Sequence, residues 1–178
     1  MEYVILGIII VAVALFVHSH NNLMSLKDVM DNFWNNINLL FQQRFDLISN
    51  LMTTVKEPLK REEEVLGKII RSCNTWENSS STADKVKADQ IASGALKALF
   101  TVSGSYPELE EDEEFLKLRK ELIRLEELIA DIRQRYNRAA GVYNTILKRF
   151  PNNLLSGPLK LFPRELFPQE DEGLRRPA

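Results

Sequence analysis

A heptad-spaced series of apolar residues in the second half of the chain constrains the fold more than any other feature. It runs through five heptads in steps of three and four: Phe115, Leu118, Leu122, Leu125, Ile129, Ile132, Tyr136, Ala139, Tyr143, Ile146 and Phe150. The spacing follows the period of an α-helix, about 3.6 residues, and not that of a strand. It predicts one helix of about 50 Å or more. Tyr106-Pro107 and the acidic run 108–114 mark its start, and Phe150-Pro151 marks its end.

The first half of the chain predicts a second long helix and two shorter ones. Apolar residues at helical spacing begin at Leu23, and a parallel heptad series widens their face enough for a multi-helix core: Trp34, Phe41, Ile48 and Val55. Pro58 ends or sharply kinks this helix, because proline lacks the backbone N–H and disfavours helix at the preceding residue. A shorter helix is then expected at about Leu59–Trp76, and another after the polar loop Asn78–Thr82.

These elements predict an all-α protein. We expect an N-terminal transmembrane helix followed by an up-and-down four-helix bundle with long first and last helices. Should Pro58 only kink its helix, the alternative is three long helices. We assign residues 1–20 to a transmembrane anchor, 21–151 to the bundle and 152–178 to a Pro-rich amphiphilic tail, which either caps the bundle or lies at the bilayer surface.

The proposed anchor is an uncharged apolar run of fifteen residues, Tyr3 to Val17. As a helix it rises about 22 Å, short of a hydrocarbon core of about 30 Å, so flanking residues or local thinning must complete the crossing. Its large side chains are Tyr3, Ile5, Leu6, Ile8, Ile9, Ile10, Val11, Leu15, Phe16 and Val17. No basic residue precedes the run, which favours an uncleaved anchor over a removed signal or a buried helix. Lys27 follows it and favours a cytoplasmic bundle.

Composition argues against several classes of function. A net charge of -2 gives no reason to expect nucleic acid as a partner. One cysteine, Cys73, and two histidines, His18 and His20, cannot build a Cys/His zinc cluster. Phosphate loops, Ser-His-Asp sets and HExxH motifs are missing from the sequence. We therefore expect no enzymatic activity, no metal and no cofactor.

Polar residues on the apolar seams are the candidate functional positions. Arg44 interrupts the first seam and needs a partner if buried, and the register of antiparallel first and last helices points to Glu126. Tyr136-Asn137 and Tyr143-Asn144 repeat after one heptad. We expect these four residues to join an interhelical ladder with polar residues of the first helix: Asp31, Asn32, Asn35, Asn36 and Asn38. The alternative is a polar groove for a peptide or a lipid headgroup.

Several motifs together resemble the LemA family over residues 21–167. They include Asn22-Leu23, the run from Gln43 to Leu51, Tyr106-Pro107-Glu108-Leu109, Tyr136-Asn137, Tyr143-Asn144 and Phe150-Pro151. The resemblance implies a bacterial membrane-anchored helical bundle, in the inner (cytoplasmic) membrane or an intracellular membrane derived from it. It implies no particular reaction. Some similar proteins belong to magnetosome membranes.

Two functions are compatible with this picture. We favour a non-enzymatic scaffold or adaptor, tethered to the bilayer by its N-terminal helix, that organises other membrane-associated proteins. The alternative is a component of membrane remodelling or organelle biogenesis, such as a magnetosome membrane protein. Self-association of the chain is compatible with both functions.

Overall fold

The computed structural model describes residues 1–79, 82–157 and 159–168. Ser80 and Ser81 of the predicted polar loop, and Pro158 and 169–178 of the predicted tail, lie outside the described residues. The described part contains helices and no strand, which confirms the all-α prediction. The helices are α1 (Glu2–Val55), α2 (Glu63–Asn78), α3 (Thr82–Ser103), α4 (Pro107–Glu110), α5 (Glu113–Leu147) and α6 (Asn152–Leu155).

Helix α1 contains both the apolar N-terminal segment and the first helix of the bundle, with no break between them. It has 54 residues and therefore rises about 80 Å. Residues 1–18 are exposed, and Leu23 is the first fully buried residue. The domain boundary expected at residue 20 thus lies inside a helix. Pro58 lies in the turn between α1 and α2, and α2 begins at Glu63, four residues later than expected at Leu59.

Helix α5 begins after the Tyr106-Pro107 step, within the acidic run that was expected to mark its start, and it ends before the last residue of the heptad series. Asp112 Oδ1 accepts a hydrogen bond of 2.9 Å from the Phe115 N–H. This N-cap starts α5 at Glu113 and leaves α4 as a separate turn of helix. The helix ends at Leu147, so Phe150, which the heptad series placed on the seam, is 80% exposed.

The chain divides into two compact units, which share α1 and α5. The central unit comprises Ile37–Asp131. Its core draws on α1, α2, α3, α4 and α5: Phe45, Ile48, Leu51, Val55, Leu59, Leu66, Ile69, Ala88, Ala92, Ala95, Leu96, Leu99, Leu109, Phe115, Leu118 and Leu122. Trp76 of α2 packs face to face on Phe45 and edge-on against Phe41, with ring centroids 5.0 and 5.2 Å apart. These contacts attach α2 to α1.

The terminal unit comprises Met1–Asn36 and Ile132–Ala178. Its buried apolar residues are Leu23, Met30, Tyr136, Ala140, Tyr143, Leu147, Leu161 and Phe167. Within this unit α1 and α5 run antiparallel, because Trp34 packs against Tyr136 while Lys27 and Tyr143 line one cleft. The segment 161–168 contributes Leu161 and Phe167 to the core and is not helical.

Candidate functional site

The central unit contains a buried ion cluster around Arg44 of α1. Arg44 Nη1 lies 2.7 Å from Asp89 Oδ1 of α3, and Nη2 lies 2.5 Å from Glu126 Oε2 of α5. Arg44 is 1% exposed, Asp89 is fully buried and Glu126 is 31% exposed. One guanidinium therefore connects three helices, and the structure brings together the two residues that helix register had paired.

Ser93 of α3 completes the cluster. Its hydroxyl accepts a hydrogen bond of 3.0 Å from Arg44 Nη2 and donates one of 3.0 Å to Glu126 Oε1. The cluster thus joins one guanidinium, two carboxylates and one hydroxyl. Sequence reasoning missed Asp89 and Ser93, although their spacing of four residues beside the alanine stripe of α3 places them on one helix face.

The chemistry of this cluster is that of a clamp. Guanidinium contacts with two carboxylates fix the distance and the angle between helices.

Within the part of the chain that the structure describes, no three His, Cys, Asp or Glu residues are grouped so that they could hold a metal ion. Burial, together with the nearby charge of Glu77, raises the pKa of the Cys73 thiol, which keeps the thiol protonated at neutral pH.

The terminal unit contains a second polar arrangement, which we call the asparagine clamp: Asn137 and Asn144 of α5. Asn144 Nδ2 donates to the Arg164 carbonyl and the Arg164 N–H donates to Asn144 Oδ1, both at 2.8 Å. Asn137 makes the same pair of bonds with Phe167, at 2.9 and 2.8 Å. Each side-chain amide thus satisfies both backbone groups of one residue.

The spacing of the clamp matches an extended chain. Seven helical residues separate Asn137 from Asn144 and rise about 10.5 Å. Three residues separate Arg164 from Phe167, and an extended chain covers about 10 Å in three steps. The two side-chain amides therefore form hydrogen bonds with the backbone of the tail, as the backbone of a neighbouring strand would.

Side chains of the tail fix its register on the clamp. Phe167 stacks on Trp34 with ring centroids 5.6 Å apart and meets Tyr136 edge-on at 5.2 Å. Arg164 Nη2 lies 2.9 Å from Asp31 Oδ1 of α1. The contacts tie the segment 161–168 to both helices of the terminal unit.

The polar ladder predicted between Asn137, Asn144 and the first helix is wrong, because these asparagines have other hydrogen-bond partners. The hydrogen bonds of Asn137 and Asn144 go to the backbone of the tail, and Asp31 pairs with Arg164. Tyr136 and Tyr143 are buried on the seam as expected. Burial raises the pKa of both hydroxyls, while the nearby Arg164 guanidinium partly opposes the rise.

The proposed anchor residues are all exposed on α1: Tyr3, Ile5, Leu6, Ile8, Ile9, Ile10, Val11, Leu15, Phe16 and Val17. Among the described residues, α1 is the one helix long and apolar enough to cross a membrane, with a mean hydropathy of 2.2 over eighteen residues, none of which is buried. This identification rests on length and composition. It is consistent with membrane anchoring.

Comparison with known proteins identifies the family of the chain. The model of the LemA family matches residues 33–178, which include both the ion cluster and the asparagine clamp. No curated protein matches the chain.

Proposed function

The chain belongs to the LemA family, and we propose that it is a non-enzymatic, membrane-anchored scaffold that organises other membrane-associated proteins. The observation that carries the proposal is the continuity of α1. Its residues 2–18 are exposed and mostly apolar, and the same helix enters a packed core from Leu23 onward. A helix that continues from an apolar segment into the packed terminal unit would hold that unit close to the bilayer.

The candidate polar sites support a structural role for the bundle. Arg44, Asp89, Ser93 and Glu126 contact one another, and the two clamp asparagines bind the chain's own backbone. Such networks fix the geometry of helices. General acid or base catalysis instead needs a titratable group that reaches a substrate.

The exposed side of α5 offers a surface for partner proteins. Leu116 and Ile123 lie one heptad apart and are 40% and 47% exposed. Large apolar residues at this spacing are typical of a helix face that meets another helix. We propose that this face contributes to recruitment.

Affinity capture from solubilised native membranes tests the scaffold. We expect the wild-type chain to retain a reproducible set of membrane proteins, and Leu116→Ser/Ile123→Ser to lose them. The matched control is Lys117→Ser/Arg124→Ser, one position further along α5 at two exposed residues, which should retain them. Failure of the wild-type chain to capture any reproducible partner would count against the proposal.

We propose the bacterial cytoplasmic membrane, or an intracellular membrane derived from it, as the location, with the bundle in the cytoplasm. The support is Lys27, the basic residue that follows the apolar run. Protease treatment of spheroplasts tests the orientation. The bundle should be degraded only after the cells are lysed.

Membrane remodelling, as in organelle biogenesis, is the second candidate. Exposed apolar residues near the C-terminus, among them Phe150, Leu154 and Phe162, favour it. This function predicts that the reconstituted protein deforms or clusters liposomes, and that deletion of residues 152–167 abolishes the effect. Liposomes that keep their shape and dispersion with the intact chain would exclude it.

A further inference from the structure

The end of α5 lies near the level where the exposed N-terminal part of α1 gives way to buried residues. Within the terminal unit, Lys27 and Tyr143 line one cleft and the two helices run antiparallel. Four residues forward from Tyr143 lead to Leu147, the end of α5, and four back from Lys27 lead to Leu23. At about 1.5 Å per residue both helical paths rise about 6 Å.

The burial of α1 supports this alignment. Residues through His18 are exposed, Ser19 and His20 are partly covered, and Leu23 is fully buried. The covered part of α1 in the terminal unit therefore begins close to the level of Leu147, where α5 ends. We call residues 148–157 and 159–160 the anchor-proximal turn.

Exposed apolar and basic residues share the anchor-proximal turn. Phe150 and Leu154 are 80% and 65% exposed, and Leu159 is also exposed. The charged residues of the turn are all basic, Lys148, Arg149 and Lys160, and all three side chains are exposed. Large apolar side chains beside basic ones are typical of segments that lie in the interfacial layer of a bilayer and contact anionic headgroups.

We propose that the anchor-proximal turn is a second lipid-contact surface, in which Phe150 and Leu154 enter the headgroup layer and the three basic side chains contact anionic lipid phosphates. The inference rests on the proposed membrane anchor. Given that anchor, the level of the turn assigns it to the bilayer rather than to a protein partner, and its uniformly positive charge complements anionic lipid.

A second contact also fits the length of the apolar run. Its fifteen uncharged residues rise about 22 Å, less than a hydrocarbon core of about 30 Å. Interfacial insertion beside a short span thins the bilayer locally or draws the flanking residues inward. Contact at the turn also restricts tilting of the terminal unit about α1.

Depth measurement on the full-length chain in lipid nanodiscs tests the proposal. In a Cys73→Ser background, a nitroxide is placed at one site in turn: Leu154→Cys in the turn, Val11→Cys in the apolar run, or Gln134→Cys as control. Gln134 is exposed in the same unit and lies about 20 Å along α5 from the end of the helix at Leu147. The collision rates with oxygen, which concentrates in lipid, and with a water-soluble nickel chelate give the depth of each label.

We expect the Val11 label at hydrocarbon depth, the Leu154 label in the headgroup layer and the Gln134 label in water. A Leu154 label as accessible to nickel as the Gln134 label, with the Val11 label in hydrocarbon, would overturn the second contact and leave the anchor intact. A Val11 label in water would overturn the anchor and this inference with it. Circular dichroism of each labelled variant establishes that the helices are retained.

Lipid charge tests the basic residues separately. In discs containing phosphatidylglycerol, Lys148→Gln/Arg149→Gln/Lys160→Gln should shift the Leu154 label toward water, with the embedded-to-exposed ratio falling by about fivefold per charge. In purely zwitterionic discs the same substitutions should change little. An equal response in both lipids would overturn the role of the three basic residues.

Discussion

Arg44 shows how one buried charge can fix the packing of three helices. Its guanidinium contacts Asp89 of α3 and Glu126 of α5 from α1, at 2.7 and 2.5 Å. A buried ion pair contributes little net stability compared with an apolar replacement, because both charges must lose their hydration. The cost of removing one partner alone is much larger, since the other charge then stays buried without compensation.

We therefore expect Arg44→Met to lower the free energy of unfolding by about 3–5 kcal/mol, because fully buried Asp89 loses its cation. Urea titration followed by circular dichroism measures the change. The double variant Arg44→Met/Asp89→Leu should recover a large part of the loss, and Arg124→Met, at an exposed residue of α5, should have little effect. A double variant as unstable as Arg44→Met would contradict the role of the ion cluster in fixing the three helices.

The asparagine clamp gives a second prediction at this scale. Asn144→Ala removes two hydrogen bonds with the Arg164 backbone and should cost about 1–3 kcal/mol. We expect the helices to persist and the amide of Arg164 to exchange faster with solvent deuterium. Asn36→Ala, at an exposed residue of α1, is the control. Unchanged protection of Arg164 would show that the clamp does not hold the tail.

Tyr136 and Tyr143 make stability sensitive to alkaline pH. Burial raises the pKa of both hydroxyls in the folded state, so the folded chain keeps these protons to higher pH than the unfolded chain. Their contribution is complete below the unfolded pKa, about 10, and is lost as the pH rises through the folded values. Urea titrations at about pH 8 and about pH 10.5 should show this decline.

The decline should be shallower in Tyr136→Phe/Tyr143→Phe, which lacks both ionisable hydroxyls. It should not vanish, because the pKa values of Tyr106 and Cys73 are also raised, the first mainly by its hydrogen bond to Glu62 and the second mainly by burial. An identical decline in the wild-type chain and the double variant would argue against burial of these hydroxyls.

At single residues, the sequence predicted the contacts that follow from helical periodicity. Arg44 and Glu126 follow from helix register, because both positions are set by the seam. Asp89 lies beside the small residues of α3, where the pattern is equally compatible with an exposed acidic side chain. The partners of Asn137 and Asn144 are backbone groups of Phe167 and Arg164, which every residue possesses, so no sequence pattern identifies them.

Among the elements, the start of α5 illustrates the strength of a single cap. The acidic run 108–114 suits any helix N-terminus in that region, and only the Asp112 side chain selects the observed start. We expect Asp112→Ala to lower stability by about 0.5–2 kcal/mol. Asp112→Asn, which keeps an acceptor oxygen, should lose less.

Thermal unfolding monitored at the helical band of the circular dichroism spectrum measures both variants. The matched control is Glu111→Ala at the exposed residue directly before the cap, because it removes a charge without removing the hydrogen bond. We expect this control to unfold close to the wild-type temperature. A loss in Glu111→Ala as large as that in Asp112→Ala would assign the effect to charge rather than to capping.

Helix existence was easier to predict than helix ends. Heptad spacing identified α1 and α5 because each repeat contributes to one buried face. It could not place the end of α5, because Phe150 continues the spacing but lies past Leu147, outside the helix. Phe150, which continues the spacing without joining the seam, is 80% exposed in the anchor-proximal turn.

On the scale of the whole molecule, anchoring and folding should be separable. The apolar residues of the N-terminal run are exposed and contribute nothing to either core. Loss of the anchor should therefore release a folded bundle, and loss of the ion cluster should unfold an attached one. This division remains a prediction from the sequence, in which an unbroken uncharged run and a heptad seam follow different patterns along one helix.

Aspartate in the apolar run tests the separation directly. Ile9→Asp/Val13→Asp places two carboxylates on one face of the proposed span, at a cost to insertion of about 2.5–3.5 kcal/mol each near its centre. We expect the variant to move from the membrane pellet to the supernatant after ultracentrifugation, with the urea midpoint of the bundle unchanged. Ile9→Leu/Val13→Leu should stay in the pellet. Wild-type protein in the supernatant, or a variant that unfolds together with its release, would contradict the view of α1 as an anchor attached to an independently stable bundle.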